Sequence, residues 1–266
     1  MSLALIAGRG GLPARVAAAQ AEPPLVCAYE GCAPDGLKPD LTFRLETLGS
    51  LLAHLLGVGI RDVCLCGAID RPSLDPAKLD IRTAPLVPQF KQALAAGDNG
   101  ALEVIKTIFE DHGLRVVGAD ELVPDLLTDS GVLTRELPDE QMRRDAARGA
   151  AVLDGLATLD IGQACVIGRE QVYGVETIGG TDHLLTTLPE AGRDARAVLC
   201  KGPKNGQIRE IDLPTIGPGT LRAAHAAGLA GVVVKAGGVM LLERDACVAL
   251  ADELGLVLWV REEGAA

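Results

Sequence analysis

The sequence predicts an α/β protein of two domains, an N-terminal Rossmann-like parallel sheet and a C-terminal α/β domain. Three observations predict this class. The chain has 266 residues, enough for two modest domains at roughly 100–200 residues each. Hydrophobic residues make up 48% of it but aromatic residues only 2%, so its cores are expected to consist of Ala, Leu, Val and Ile. Short apolar strand segments alternate with helical segments, as they do in parallel sheets.

The N-terminal half begins with this alternation. A strand at 3–7 leads into the glycine loop Gly8-Arg9-Gly10-Gly11, and a helix follows with Pro13 in its first turn, where a missing N–H costs nothing. The pattern continues with a strand at 25–29, an amphipathic helix at 48–56, a buried strand at 62–69, a helix at 101–112 and a strand at 115–118.

A change of composition marks the domain boundary. Between Leu126 and Glu140 the chain has turn residues and no periodic apolar pattern, so we predict domains at 1–128 and 140–266 with a linker at 129–139. The second domain is predicted to contain a helix at 140–156, strands at 164–167, 172–177 and 197–201, a helix at 220–227, a strand at 231–236, a helix at 244–254 and a strand at 257–260. We expect the active-site cleft between the two domains.

Charge and cysteine content narrow the class of function. The chain carries 36 acidic residues against 25 Lys and Arg, a net charge of −11, which argues against nucleic-acid partners and requires local positive charge wherever an anion binds. Seven cysteines without a CxxC pattern predict reduced, buried thiols. The apolar N-terminal stretch is too short for a signal peptide, and no later stretch reads as a membrane span, so we expect a soluble cytoplasmic enzyme or binding protein.

The glycine loop is the first candidate site. Gly8, Gly10 and Gly11 allow the backbone to approach a ligand, and N–H groups at a helix start attract phosphate. Three interpretations remain open: contact with a nucleotide or phosphate, NAD(P) binding, and a structural turn. Pro13 takes the place of the third glycine of a dinucleotide fingerprint, although Glu30 lies near the position of its ribose-binding acid.

A denser group of polar residues lies in the second domain. Glu176-Thr177-Ile178-Gly179-Gly180-Thr181-Asp182 follows a predicted strand, and it is succeeded by the basic loop 201–207 and by the segment 212–217. Carboxylates near lysines favour a magnesium ion shared with a phosphate group, whereas the alternative is that these acids only cap turns and helices. The four histidines form no metal-binding pattern.

Seven segments occur in the order and spacing of one family, over essentially the whole chain. They are LIAGRGGLP at 5–13, GAIDRP at 67–72, GDN at 97–99, LDIGQ at 159–163, VETIGGTD at 175–182, KGPKNGQ at 201–207 and DLPTIGP at 212–218. The chain resembles the LpxI-type UDP-2,3-diacylglucosamine pyrophosphatases. The resemblance implies cleavage of UDP-2,3-diacylglucosamine to UMP and 2,3-diacylglucosamine 1-phosphate (lipid X) in lipid A biosynthesis, by magnesium-assisted attack of water on phosphorus. It also implies a homodimer at the inner face of the inner membrane.

The residues support a hypothesis for the reaction. Asp182 and Asp212 hold the cation, Lys201 stabilises charge on the phosphate oxygens, and Glu176 or Asp182 is the general base. The chain departs from the family pattern at Ile208-Arg209-Glu210, where Glu210 is a further candidate metal ligand. The candidate substrate-binding residues are Gly8, Gly10, Gly11, Asp70, Asp98, Asn99, Gly180, Thr181, Lys204 and Gln207.

Two other functions remain as alternatives: an NAD(P)-binding Rossmann oxidoreductase and a non-catalytic protein that binds a lipid nucleotide.

A stripe of leucines, Leu51, Leu52, Leu55 and Leu56, lies at helical spacing. It is either a wall for acyl chains or, by the stronger interpretation, ordinary core packing.

Overall fold

The structure is a computed structural model that describes residues 2–70, 73–194, 196–204 and 206–262. Its contacts divide the chain into two compact units. The N-terminal unit contains Met1–Pro124 together with Ile208–Asp212, and the C-terminal unit contains Asp125–Gln207 and Leu213–Ala266. Five residues within the predicted domain 140–266 therefore pack with the N-terminal unit. No helix in the described ranges combines the length and the hydropathy of a membrane-spanning segment.

The first part of the chain forms the helices and strands of the N-terminal unit. In chain order they are β1 Leu3–Ala7, α1 Leu12–Ala18, β2 Leu25–Tyr29, β3 Leu41–Phe43, α2 Leu48–Gly57, β4 Asp62–Cys66, α3 Val87–Ala95, α4 Asp98–Asp111, β5 Arg115–Val116 and α5 Ala119–Leu122.

The sheet of this unit confirms the predicted Rossmann-like class. Its strand order is β3-β2-β1-β4-β5, and every neighbouring pair is parallel. The chain winds outward on one side of β1 and then crosses to β4 on the other, so the order reverses between these two strands. Strand β4 ends three residues before the predicted end, because Gly67 at φ +87° turns the chain and Ala68 pairs with Arg9 instead.

The leucine stripe of α2 belongs to the core. Leu52 and Leu55 are fully buried, and both pack in one apolar cluster with Phe90 and Phe109. The stripe therefore contributes core packing, as the stronger of the two interpretations predicted, and these side chains do not form a free acyl-chain wall.

The rest of the chain forms the C-terminal unit, apart from the short helix α9. The elements are β6 Gly131–Val132, α6 Glu140–Ala157, β7 Ala164–Gly168, β8 Gln171–Val175, α7 Gly180–Thr186, α8 Glu190–Asp194, β9 Val198–Lys201, α9 Arg209–Asp212, β10 Thr215–Ile216, α10 Pro218–Ala226, β11 Gly231–Lys235, β12 Met240–Leu241, α11 Arg244–Leu254 and β13 Val257–Arg261. The predicted linker 129–139 contains β6, which pairs with β13.

The main sheet of this unit is mixed, in the order β6-β13-β11-β9-β7-β8. Strands β9, β11 and β13 are parallel, whereas β7 is antiparallel to both β8 and β9. Ala164 at the start of β7 lies opposite Lys201 at the end of β9. The start of β7, the end of β8 and the ends of the parallel strands therefore meet at one edge, called here the carboxyl edge. Ligands of α/β sheets bind at such edges.

All seven cysteines are free and buried. This confirms the prediction of reduced thiols used as small apolar core residues. Burial and a neighbouring Asp40 carboxylate raise the pKa of the Cys27 thiol to about 12, so this group is not a reactive thiolate near neutral pH.

Candidate functional site

A buried polar network lies at the carboxyl edge of the C-terminal unit. The ammonium of Lys201 donates a hydrogen bond to the Thr181 hydroxyl at 2.9 Å, and that hydroxyl donates to a carboxylate oxygen of Glu176. Glu176 and Lys201 are only 7% and 8% exposed. A buried cation and a buried carboxylate are thus joined through one hydroxyl, at a place where electrostatic interactions are much stronger than in water.

Local chain geometry brings the side chains of Glu176 and Thr181 together. Strand β8 ends at Val175, so Glu176 is the first residue beyond it, and its main-chain N–H still donates to Ala164 at 2.8 Å. The chain then turns at Gly180, whose φ of +77° favours glycine, and enters α7 with Thr181 in the first turn. The segment 176–182 therefore brings Glu176, just after the end of a strand, within hydrogen-bond reach of Thr181, at the start of a helix.

Gln163 joins this network to the basic loop that follows β9. Its main-chain N–H donates to Glu176 Oε1 at 3.3 Å, and its carbonyl accepts from Gly202 at 3.1 Å. Its side-chain oxygen accepts from Gln207 Nε2 at 3.2 Å. Gln163 thus fixes both the carboxylate of Glu176 and the two ends of the basic loop 201–207.

Lys204 and Gln207, both predicted to bind substrate, hold the loop in shape, and their contact with substrate stays a prediction. The Lys204 main-chain N–H donates to Gln207 Oε1 at 2.8 Å. The Lys204 ammonium forms an ion pair with Asp160 at 2.8 Å and is 13% exposed. In this arrangement Lys204 anchors the loop to the residues that precede β7, and its charge is partly neutralised by Asp160.

Asp182 stands apart from the buried network. It is exposed in the first turn of α7, where an acid is favourable to the helix dipole. This position accounts for the residue structurally, and it also leaves the carboxylate accessible to a ligand. Asp182 belongs to the C-terminal unit and Asp212 to the N-terminal unit, so their predicted sharing of one cation stays a prediction.

In the N-terminal unit the three glycines of the first loop differ in role. A Cβ on Gly8 would lie 2.5 Å from the Ala68 carbonyl oxygen, so this glycine is needed for the close approach of the segments that follow β1 and β4. Gly10 has φ +96°, and a Cβ on Gly10 or Gly11 would meet no atom within 4 Å. The backbone at Gly10 and Gly11 is therefore open, at the point where the strand order reverses.

Asp70 pairs with Arg9 of the same loop. The guanidinium donates to Asp70 Oδ2 at 2.8 Å through one nitrogen and to Oδ1 through another. This hydrogen bonding holds the pKa of Asp70 below its ordinary value. Arg9 of the glycine loop thus forms an exposed carboxylate–guanidinium pair with Asp70 of the segment after β4. Arg71 and Pro72 of the same motif lie outside the described residues.

Asp98 and Asn99 open α4, with Gly97 as the N-cap residue. The Asn99 side chain is half-buried at this helix start. The side chain of Asp98 lies outside the described part of the structure. For both residues, the predicted contact with substrate stays a prediction.

Glu210 and Asp212 lie on a segment that the C-terminal sequence contributes to the N-terminal unit, residues 208–212, called here the strap. Asp212 is half-buried at the end of α9. Glu210 is 42% exposed, and its carboxylate lies 3.8 Å from the Lys106 ammonium. The acid predicted as an additional metal ligand is therefore placed beside a cation of α4.

The donor set fits magnesium in its chemistry. Among the described residues, no three His, Cys, Asp or Glu side chains lie together as a metal-binding group. Magnesium usually takes one or two protein carboxylates and completes its shell with water and substrate phosphate oxygens, so such a group is not required. The exposed Asp182 and the half-buried Asp212 offer carboxylates of this kind.

Sequence reasoning missed Gln163, Asp160 and Gly162 as site residues. A signal was present, because all three fall in the segment LDIGQ. Gly162 has φ +48°, and a Cβ there would overlap the main chain of Glu176. Asp160 also has a positive φ, 53°. A glycine beside a polar residue, Gln163, just before a strand was the available indication of a tight approach.

Comparison with known proteins covers nearly the whole chain. The model of the LpxI N-terminal domain matches residues 2–126, and that of the LpxI C-terminal domain matches residues 129–259. A protein of Caulobacter vibrioides, described as UDP-2,3-diacylglucosamine pyrophosphatase LpxI, is 34% identical. The similarity spans 96% of this chain and 95% of that protein.

Proposed function

The chain belongs to the LpxI family, and we propose that it hydrolyses the pyrophosphate bond of UDP-2,3-diacylglucosamine, giving UMP and 2,3-diacylglucosamine 1-phosphate for lipid A biosynthesis. The observation that carries this proposal is the similarity to a pyrophosphatase along 96% of the chain. The buried network of Glu176, Thr181 and Lys201 supports it, since the network gives an acidic protein a fixed cation at a sheet edge.

The chain's own residues have distinct tasks in this reaction. Water adds to one phosphorus, the bridging P–O bond breaks, and the proton of the water passes to a carboxylate. Lys201 stabilises the charge on the phosphate oxygens. Thr181 holds the ammonium in place, and Glu176 orients the Thr181 hydroxyl. Asp182 and Glu176 are the two candidate proton acceptors of the C-terminal unit, one exposed and one buried.

We further propose that the reaction uses magnesium. Bound magnesium neutralises charge on the pyrophosphate and lowers the cost of bringing it to a protein of net charge −11. Asp212 and Asp182 would hold it. Gly10 and Gly11, with their open backbone, would face the nucleotide part of the substrate together with Asp98 and Asn99.

The nature of the substrate supports contact with a membrane. Each acyl CH₂ group contributes about 0.8 kcal/mol to membrane partitioning, so a diacylated sugar remains in the bilayer. We propose that the chain meets its substrate as a peripheral protein at the inner face of the inner membrane, and that it is a homodimer. Sedimentation with phospholipid vesicles and light scattering measure these two properties directly.

An assay of UMP release and a separate titration with NADH together distinguish the three possible functions. The full chain is incubated with UDP-2,3-diacylglucosamine in detergent micelles, with Mg²⁺ or with EDTA, and UMP is quantified. We expect UMP and the lipid phosphate in equal amounts, and none in EDTA. Equal release in EDTA would contradict the role of magnesium. Tight binding without product would indicate a binding protein, and a fluorescence change with NADH would indicate an oxidoreductase.

A further inference from the structure

We propose that Arg209 is a positioning residue, which fixes the carboxylate of Asp212, the proposed magnesium ligand, by docking the strap onto the N-terminal unit. The inference rests on the proposed function of Asp212. Three contacts hold the strap, residues 208–212, against the N-terminal unit.

The first contact is an ion pair. Both Nε and Nη2 of Arg209 approach the same oxygen, Asp120 Oδ2, at 3.1 and 2.9 Å. The Asp120 side chain is 13% exposed, so the carboxylate is largely removed from water. Two charge-assisted bonds to a mostly buried acceptor are stronger than an exposed surface pair.

The second contact is steric. A Cβ at Gly118 would lie 2.5 Å from Asp120 Oδ1 and 3.4 Å from the Cα of Glu210. The missing side chain at Gly118 therefore lets the Asp120 carboxylate and the strap approach the same point. Gly118 is also the N-cap residue of α5, against which α9 packs.

The third contact is apolar. Ile211 packs against the core cluster of the N-terminal unit, and α9 lies against β4. Ile211 and Asp212 donate to the Ile208 carbonyl at 3.0 and 2.9 Å, which closes the strap into a single helical turn. With four helical residues the strap has little intrinsic stability, so its position depends on these docking contacts.

Loss of these docking contacts is expected to lower the catalytic rate rather than the stability of the whole fold. Asp212 is three residues beyond Arg209 in the same turn, so motion of the turn displaces its carboxylate. Displacement by about 1 Å lowers rates by up to about 100-fold. Loss of the ion pair should therefore lower kcat and leave KM nearly unchanged, because a group that acts in the transition state is misplaced.

The test is a double-mutant cycle with Arg209→Ala, Asp120→Ala and the double variant. We expect each single variant to lose about tenfold or more in kcat, and the double variant to lose no more than either. The control is Lys78→Ala, which removes another ion pair of the same unit, with Asp75 at 3.3 Å, away from α5 and the strap, and should keep the wild-type kcat. Additive losses, or an unchanged kcat in Arg209→Ala, would overturn the proposal.

Hydrogen exchange provides a readout that does not need activity. In Arg209→Ala the amides of Ile211 and Asp212 should exchange at least about tenfold faster, while the amides of β1 and β4 remain as protected as in the wild type. Unchanged exchange at the strap would refute the docking role even if the chain proved to have another activity. If Arg209→Ala does not fold, Arg209→Lys replaces it, since this variant keeps the charge but loses the two-nitrogen contact.

Discussion

Thr181 connects the two buried charges of the C-terminal unit. Its hydroxyl accepts from the Lys201 ammonium and donates to Glu176, so one small group fixes the orientation of both. Because a hydroxyl has one donor and two acceptor sites, it can serve both partners at once. A side chain of the same shape without the hydroxyl would leave a buried ammonium and a buried carboxylate without this bridge.

Replacement of Thr181 by Val tests this role. We expect Thr181→Val to lower kcat for UMP release by about tenfold or more, since the cation loses its fixed position, whereas Thr181→Ser should stay near the wild-type value. Thermal unfolding of both variants shows whether the loss is one of catalysis or of folding. Equal rates for the Val and Ser variants would show that the hydroxyl is not needed.

Residue type explains which parts of the site could be predicted. Glu176 and Lys201, which the structure brings into one network, could be singled out from the sequence because charged side chains near glycines are visible there. Gln163 could not, because two of its three contacts use its main-chain N–H and carbonyl. Main-chain hydrogen bonds depend on strand pairing and leave no signature in residue type.

At the level of elements, the hairpin between β7 and β8 depends on a residue from another element. Its two turn residues, Arg169 and Glu170, both have positive φ, 51° and 62°, which is unusual outside glycine and asparagine. Asp145 of α6 is 1% exposed and accepts from both of their main-chain N–H groups, at 3.1 and 2.6 Å. The helix thus holds the turn that orients the start of β8.

We predict that Asp145→Ala lowers the free energy of unfolding by about 2–4 kcal/mol, because two N–H groups lose a charged acceptor. Urea denaturation measures the change. Asp154→Ala is the matched control, since Asp154 is an exposed acid of the same helix. A loss in Asp145→Ala no larger than in the control would contradict this role.

Element length explains much, but not all, of how well the elements were predicted. The apolar strands β1 and β2 and the long helices α6 and α11 lie within one residue of their predicted bounds. Apart from the nine-residue helix α3, the elements that were missed are short: the strands β3, β6, β10 and β12 and the helices α5, α7, α8 and α9. Such short elements have no period to detect, and they form because longer elements provide pairing partners, as β13 does for β6.

At the scale of the whole molecule, the charge balance and the site place opposite demands on the chain. A net charge of −11 repels a pyrophosphate, while the carboxyl edge of the C-terminal sheet holds the buried cation Lys201.

The sequence predicted two α/β domains. It did not predict that the strap with Asp212 packs in the N-terminal unit, because packing between residues distant in sequence is not visible in local patterns.

The most direct test of the account is UMP release by folded Asp212→Asn under single-turnover conditions with UDP-2,3-diacylglucosamine. We expect at least about a 100-fold lower rate than the wild type, because a neutral amide binds a divalent cation far more weakly than a carboxylate does. The control Asp62→Asn, which alters an acid paired with Arg115 at 2.8 Å, should retain the wild-type rate. Release by Asp212→Asn at the wild-type rate would contradict the account.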